Sequence, residues 1–389
     1  MSLNSALTIG DLKTRARARV PRMFFDYSES GSWTESTFRA NESDFSQILF
    51  RQRVAVDLRD RKLGTTILGQ DMRMPVMGAP AAICGLQIAN GEIHAAHACE
   101  KFGIPFSLST MSICSIEQVA EAATKPFWFQ LYTLRDKPFM ERLVDRAKAA
   151  KCAALILTMD LQILGQRHAD IRNGLSAPPK FNMNSLMQIA TRPAWAVGML
   201  GAKSRTFANV VGHAQDVSDL SSLSTWIAEQ FDLGLTWKEV SWVRDRFDGP
   251  VIVKGILDAE DALAAVAHGA DAIVVSNHGG RQLDGAPSSI RVLPEILDAV
   301  GHKTEVLMDG GIRSGQDVLK ALALGAKGTF IGRPILYGLG AGGEAGVTRA
   351  LEIIEKEMDT TLALLGERDV RNVGPHNLYS NALVRRQGS

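Results

Sequence analysis

Seven consecutive residues, Ser276-Asn277-His278-Gly279-Gly280-Arg281-Gln282, set an imidazole beside two glycines and a guanidinium. An imidazole exchanges a proton near neutral pH, and a guanidinium grips a carboxylate through two parallel hydrogen bonds. That combination suits proton abstraction from a small carboxylic acid. Two further turns, Asp309-Gly310-Gly311-Ile312-Arg313-Ser314-Gly315 and the GTFIGR stretch ending in Gly332-Arg333, place glycines next to arginines. Glycines let backbone N–H groups approach an anion, and Arg313 and Arg333 add charge, so the two turns together look like a phosphate site. Taken singly, each is also an ordinary tight turn between strand and helix. Asp160 reads as the carboxylate that orients His278 and stabilises its imidazolium, with a plain surface cap as the other reading. Lys254 sits inside the apolar VIVKGI, where a lysine calls for a buried anionic partner rather than a place on the surface. His94, His97, His168, His213, His268, His302 and His376 form no pair with zinc spacing, so no metal is expected.

These groups lie far apart in sequence, and a fold must gather them. Short apolar runs recur at 74–79, 104–109, 127–132, 153–159, 250–255, 270–276, 304–309 and 327–332. Each is too short for a helix and lacks polar alternation, as in strands covered on both faces. Helical patterns follow at 92–102, 115–123, 136–150, 258–268, 288–300, 314–325 and 344–365, and 237–247 closes the fourth unit. Eight strands alternating with eight helices predict an α/β fold of the (β/α)8 TIM-barrel kind; an open doubly wound sheet is the alternative.

In a barrel the chemistry projects from the C-terminal strand ends. The residues there are Pro80, Ala81 and Ala82; Ser109 and Thr110; Gln130 and Tyr132; Thr158 and Asp160, with Arg167 soon after; Lys254; Ser276; Asp309 to Arg313; and Gly332 with Arg333. One domain is expected, with 1–73 capping the barrel's N-terminal end or edge. Residues 74–160 and 237–365 form the barrel, 161–236 an insertion after the fourth strand, and 366–389 a tail.

A net charge of +1 gives no global field to draw nucleic acid. No apolar run approaches the roughly 20 residues that cross a bilayer, and the N-terminus lacks the apolar core of a signal peptide. Cys84, Cys99, Cys114 and Cys152 form no CxxC pair and suit small core residues in a reducing, cytoplasmic compartment. Within the insertion, 180–205 carries apolar Phe181, Met183, Leu186, Met187, Ile189, Trp195, Val197, Met199 and Leu200, flanked by Lys180, Arg192, Lys203 and Arg205. That pairing suits an interfacial segment on anionic headgroups; a mobile lid packed on the barrel is the other reading. Pro193 forbids one unbroken helix.

The motifs SNHGGRQLDG, DGGIRSG and IGR, with WFQLY, LTMD and VIVKGI in support, resemble the FMN-dependent L-2-hydroxy acid dehydrogenase and oxidase family from PRMFFDY to the helix at 344–365. The similarity is greatest to its bacterial respiratory, L-lactate-oxidising branch. It implies FMN as cofactor, with Ala81, Ala82, Ser109, Gln130 and Thr158 lining the flavin. Lys254 faces the N1/C2 carbonyl side of the ring, and Ser276 also belongs to the cofactor-binding set. Asp309, Gly310, Gly311, Arg313, Gly332 and Arg333 hold ribityl and phosphate. Tyr27 and Tyr132 hydrogen-bond the substrate, Arg167 and Arg281 clamp its carboxylate, and His278 is the base with Asp160 behind it.

The resemblance further implies a quinone-type electron acceptor, a homotetramer and a peripheral place on the cytoplasmic face of the inner membrane through 180–205. Two positions depart from parts of the family. Ala82 stands where respiratory members often have glycine and several oxidases alanine, which keeps an oxygen-dependent, peroxide-forming oxidase as the alternative. Met111 stands where glycolate oxidase has tryptophan, which argues for a different acyl pocket. From another enzyme class, a phosphate-binding barrel isomerase or aldolase would use Lys254 as a Schiff base.

Overall fold

In the computed structural model, which describes residues 2–173, 183–213 and 230–379, three helices come first: α1 (Ile9–Arg19), α2 (Arg22–Glu29) and α3 (Ser36–Ser43). Thr8 and Asp11 start α1 with a reciprocal capping box. A hairpin of β1 (Thr65–Ile67) and β2 (Gln70–Met72) follows. The strands β3 (Val76–Gly78), β4 (Ser107–Ser109), β5 (Trp128–Tyr132), β6 (Ala154–Thr158), β7 (Val251–Ile256), β8 (Ala272–Val275), β9 (Glu305–Met308) and β10 (Gly328–Ile331) then alternate with helices. They pair in parallel in the order β3-β10-β9-β8-β7-β6-β5-β4. A parallel bridge from Gly78 to Phe106 closes the ring, so the fold is a (β/α)8 barrel and the open sheet is set aside.

Strand alternation explains why the polar groups converge. Trp128, Ala154, Ile156, Ile252, Ala272, Val274, Leu307 and Phe330 fill the barrel interior. Continuing by twos along the same strands gives Gln130 and Tyr132, Thr158, Lys254, Ser276, Asp309 and Gly332. One face of each strand therefore runs from apolar filling to polar site. The hairpin seals the N-terminal end. Its Ile67 and Met72 join the interior cluster, and Gln70 accepts from the Trp128 indole at 3.1 Å. The segment from α2 to α3 crosses the opposite, C-terminal end.

The eighth helix stands where 344–365 is expected; a preceding helical stretch starts at Arg333, breaks at non-helical Gly342 and Gly343, and the second helix runs to Leu364. Gly340, just before the break, serves close packing. A Cβ at Gly340 would lie 2.8 Å from Val20 and 2.9 Å from Ala16, on and just beyond α1. Tertiary contact overrides the propensity of glycine here.

Candidate active site

A cavity of about 390 Å³ opens at the C-terminal end of the barrel, in the size range of small-ligand sites. Tyr27, Ala81, Ala82, Tyr132, Arg167, Lys254, His278, Arg281, Asp309, Gly310, Gly311, Arg313, Gly332 and Arg333 line it. Ser109, Gln130, Thr158, Asp160 and Ser276 stand just behind the wall and orient what lines it. Ser109 Oγ donates to Gln130 Oε1, and Gln130 Nε2 donates to Thr158 Oγ1, both at 3.0 Å. This buried chain fixes the amide across β4, β5 and β6.

The loop after β8 is held in a conformation that its glycines permit. His278, Gly279 and Gly280 all have positive φ, of 57°, 66° and 74°. A side chain at Gly280 would lie 2.5 Å from the backbone of Phe38 on α3. His278 is not a glycine, and its left-handed backbone is secured from both sides. Its N–H donates to Ser276 Oγ at 3.1 Å. The preceding Asn277 forms a reciprocal amide pair with Asn41 of α3, both bonds 2.8 Å and both residues buried.

His278 Nδ1 lies 3.0 Å from Asp160 Oδ1. Burial pushes the Asp160 carboxyl up, but His278 and Lys254 beside it leave it below the ordinary range. For His278, burial and the nearby Lys254 ammonium outweigh Asp160 and depress its pKa. An ionised Asp160 can only accept, so Nδ1 carries the proton and Nε2 keeps its lone pair. Lys254 Nζ donates to Ser276 Oγ at 2.8 Å and pairs with Asp309 Oδ2 at 3.1 Å. Burial disfavours its charge, yet Asp309 and Asp160 hold its pKa above the usual lysine value.

Two arginines stand beside the imidazole. Arg281 Nη1 donates to the carbonyls of Tyr27 and Ser30, and its guanidinium stacks on the Tyr27 ring at 4.4 Å. Its Nη2 is buried without a hydrogen-bond partner, 3.5 Å from Asp170 Oδ2. Arg167 Nε donates to the Arg281 carbonyl at 3.3 Å. Burial and the neighbouring Arg281 lower the Arg167 pKa, and burial raises that of Tyr132.

The other two arginines are tied up by protein. Arg333 donates to the carbonyls of Ser28, Ser30 and Gly279 at 2.8, 3.0 and 3.2 Å and covers the Phe38 ring. Burial, with Arg313 nearby, pulls its pKa down to about 10. Arg313 pairs with Glu42 at 2.8 Å. Between them, Gly310 and Gly311 turn with φ of 91° and 84°. A Cβ on Gly311 would sit 1.8 Å from the Asn41 carbonyl oxygen.

Sequence reasoning missed the α2–α3 segment, apart from Tyr27, as a wall of the site. Phe24 and Ser28 line the cavity, while Ser30 and Asn41 hold its loops. It also missed Asp170, Phe207 and Phe231, for which no motif spacing gave a signal. Arg205, read as a flanking charge of 180–205, lines the cavity with Thr206 and Phe207. Met183–Ala190 and Pro193–Gly198 form two helices separated before Pro193. Met183, Leu186, Met187, Val197 and Leu200 are exposed, whereas Trp195 stacks on Phe24 at 5.3 Å and donates to the Leu86 carbonyl. Lys180 and Phe181 lie outside the described residues.

Residues 16–380 match the family model described as FMN-dependent dehydrogenase. The chain belongs to the FMN-dependent dehydrogenase family. It is 46% identical over 365 residues to an L-lactate dehydrogenase of Caulobacter vibrioides, covering 93% of this chain and 95% of that one. An L-lactate dehydrogenase of Haemophilus influenzae is 44% identical over 370 residues, 95% of this chain and 97% of that one. Among solved structures, the monotopic membrane protein (S)-mandelate dehydrogenase superposes with a TM-score of 0.92 at 34% identity, covering 97% of this chain and 100% of that one.

As a member of an FMN-dependent family, the chain offers groups that fit the cofactor. Asp309 Oδ1 is buried with no hydrogen-bond partner among the described residues, as suits an acceptor awaiting a hydroxyl. The close approach at Gly311 leaves backbone rather than side chain facing the cavity. Lys254 presents a buried ammonium from the barrel floor.

Proposed function

We propose that this chain oxidises L-lactate to pyruvate with FMN and passes the electrons to a quinone-type acceptor. The observation that carries it is the neutral His278, backed by ionised Asp160, sharing one cavity with the guanidiniums of Arg167 and Arg281. A base opposite a carboxylate-binding cation is what removal of hydrogens from a 2-hydroxy acid requires. The L-lactate dehydrogenases of Caulobacter and Haemophilus support lactate as the acid.

In this mechanism Arg167 and Arg281 grip the carboxylate, and Tyr27 and Tyr132 hydrogen-bond the substrate's oxygens. His278 Nε2 accepts a proton from the hydroxyl or from Cα, and Asp160 stabilises the imidazolium that results. Lys254 offsets negative charge on the cofactor side, with Ser276 fixing its ammonium. Bound FMN supplies the two-electron acceptor. Ala81, Ala82, Ser109, Gln130 and Thr158 shape the flavin's bed. Asp309 takes the ribityl hydroxyls, while Gly310, Gly311, Arg313, Gly332 and Arg333 form the phosphate end. L-Lactate should bleach the flavin of the anaerobic wild type, and His278→Gln should slow that step by ~10²–10⁴-fold. Rapid bleaching in the variant would remove His278 from the chemistry.

Peripheral binding to the cytoplasmic face of the inner membrane is part of the same proposal, as is a homotetramer. No helix among the described residues is long and apolar enough to cross a membrane. Support for docking comes from exposed Leu186, Met187 and Val197 and from the monotopic mandelate dehydrogenase. Glutamate at those three positions should release the enzyme from membranes with its flavin intact. Unchanged sedimentation with membranes would rule the segment out as the anchor.

A further inference from the structure

Behind the arginine pair lies a carboxylate that the mechanism above leaves idle. Asp170 belongs to the short helix His168–Arg172 and is 6% exposed. Its Oδ2 lies 3.5 Å from Arg281 Nη2, and its Oδ1 accepts from Ser30 Oγ at 3.4 Å. Burial pushes its carboxyl above the ordinary range, a rise that Arg281 and then Arg167 reduce without cancelling. The next acid, Asp26, is engaged by Arg22 and Asn173, both at 3.1 Å. Asp170 is therefore the carboxylate in ionic contact with the clamp among the described residues.

Among the other charges in the cavity, Lys254 faces Asp309 and Arg313 faces Glu42, neutral His278 faces ionised Asp160, and Arg333 is bonded to backbone carbonyls. Arg167 and Arg281 against Asp170 leave one positive charge over, equal to one substrate carboxylate. Two buried guanidiniums without a counter-charge would hold any carboxylate tightly, including the product's.

We propose that Asp170 is the charge-balancing residue of this arginine pair, trimming it to one net positive charge so that it binds a monocarboxylate and releases the 2-oxo product. The proposal rests on the reading that Arg167 and Arg281 grip the substrate carboxylate. Removing the charge should tighten anion binding, and more for a dianion than for a monoanion, a signature that a purely structural role does not share.

The test uses flavin-loaded wild type, Asp170→Asn, Asp170→Ser and Asp170→Glu, with pyruvate and oxalate titrated against the flavin spectrum. For Asn and Ser, pyruvate should bind roughly three- to tenfold more tightly and oxalate more tightly still. The KM for L-lactate and kcat should fall together as release slows. Asp170→Glu, which keeps the charge, should resemble wild type. Two uncharged variants of different size keep the test open if one does not fold. Unchanged or weaker binding of both anions in the Asn and Ser variants, or equal tightening of the two, overturns the proposal. An Arg281→Lys control separates the layers. Oxalate binding unaffected there would sink the carboxylate-clamp reading itself; weakened binding there, with no gain in the Asp170 variants, sinks only the charge balance.

Discussion

The two arginine pairs that line the cavity use the same side chain in different ways. Beside His278, Arg281 donates through Nη1 to the Tyr27 and Ser30 carbonyls while its Nη2 faces Asp170 without a hydrogen bond, and Arg167 bonds through Nε alone among the described residues. At the Gly310–Gly311 end, Arg333 spends its guanidinium on three backbone carbonyls and Arg313 is paired with Glu42. Guanidinium N–H groups keep spare hydrogen-bonding capacity where a small carboxylate must come and go. Where a larger group is to be held, the arginines brace the walls and glycine backbone faces the space. A guanidinium near a cavity is thus not by itself a ligand; its hydrogen-bond accounting decides.

That contrast can be broken most sharply at the glycine end. Gly311→Ala places a methyl where Asn41 O stands 1.8 Å away, at a φ that alanine tolerates poorly. The purified variant should carry essentially no flavin, read by absorbance. Full occupancy would show that α3 yields and that backbone approach is not what shapes this end.

Next in size is Arg281→Lys, which removes the planar fork yet keeps the charge. A drop of roughly 10²-fold in kcat/KM for L-lactate is expected with flavin content unchanged. Arg333→Lys should do the reverse. It strands the buried carbonyl of Ser28, at a cost of ~1–3 kcal/mol in unfolding free energy by denaturant titration, while the KM for lactate moves little. If lactate kinetics suffer more than stability, the assignment of the two ends is wrong.

The smallest effect is one of position. His278 must be neutral to take a proton, and burial with Lys254 lowers its pKa from 6.5. Activity therefore rises with pH through that depressed value, and the acid limb of kcat/KM should lie below 6.5. A limb at higher pH would mean that Asp160 dominates the electrostatics of the base.

Much of this was legible in the sequence because strands alternate. Gln130, Thr158, Lys254, Ser276 and Asp309 continue the inward parity of apolar residues, so the barrel prediction carried the site with it. The His278 loop announced itself through adjacent glycines. What stayed hidden depends on contacts between distant segments. Asn41, Ser28 and Ser30 act largely through backbone or amide groups, which leave no pattern of spacing. Asp170 sits in a short helix of the insertion, where a lone acid looks like any solvated one.

The reciprocal amides of Asn41 and Asn277, and the bond from Arg333 to Ser28, join positions 236 and 305 residues apart. During synthesis at ~5–20 residues per second, the wall made by α2 and α3 waits on the order of 15–60 s for the strands that receive it. Through that interval Met23, Phe24 and Phe25, buried in the finished protein, have no barrel to cover them. Cofactor capture is thereby deferred until the chain is made at least through Arg333, and the nascent segment is one that chaperones would be expected to shield.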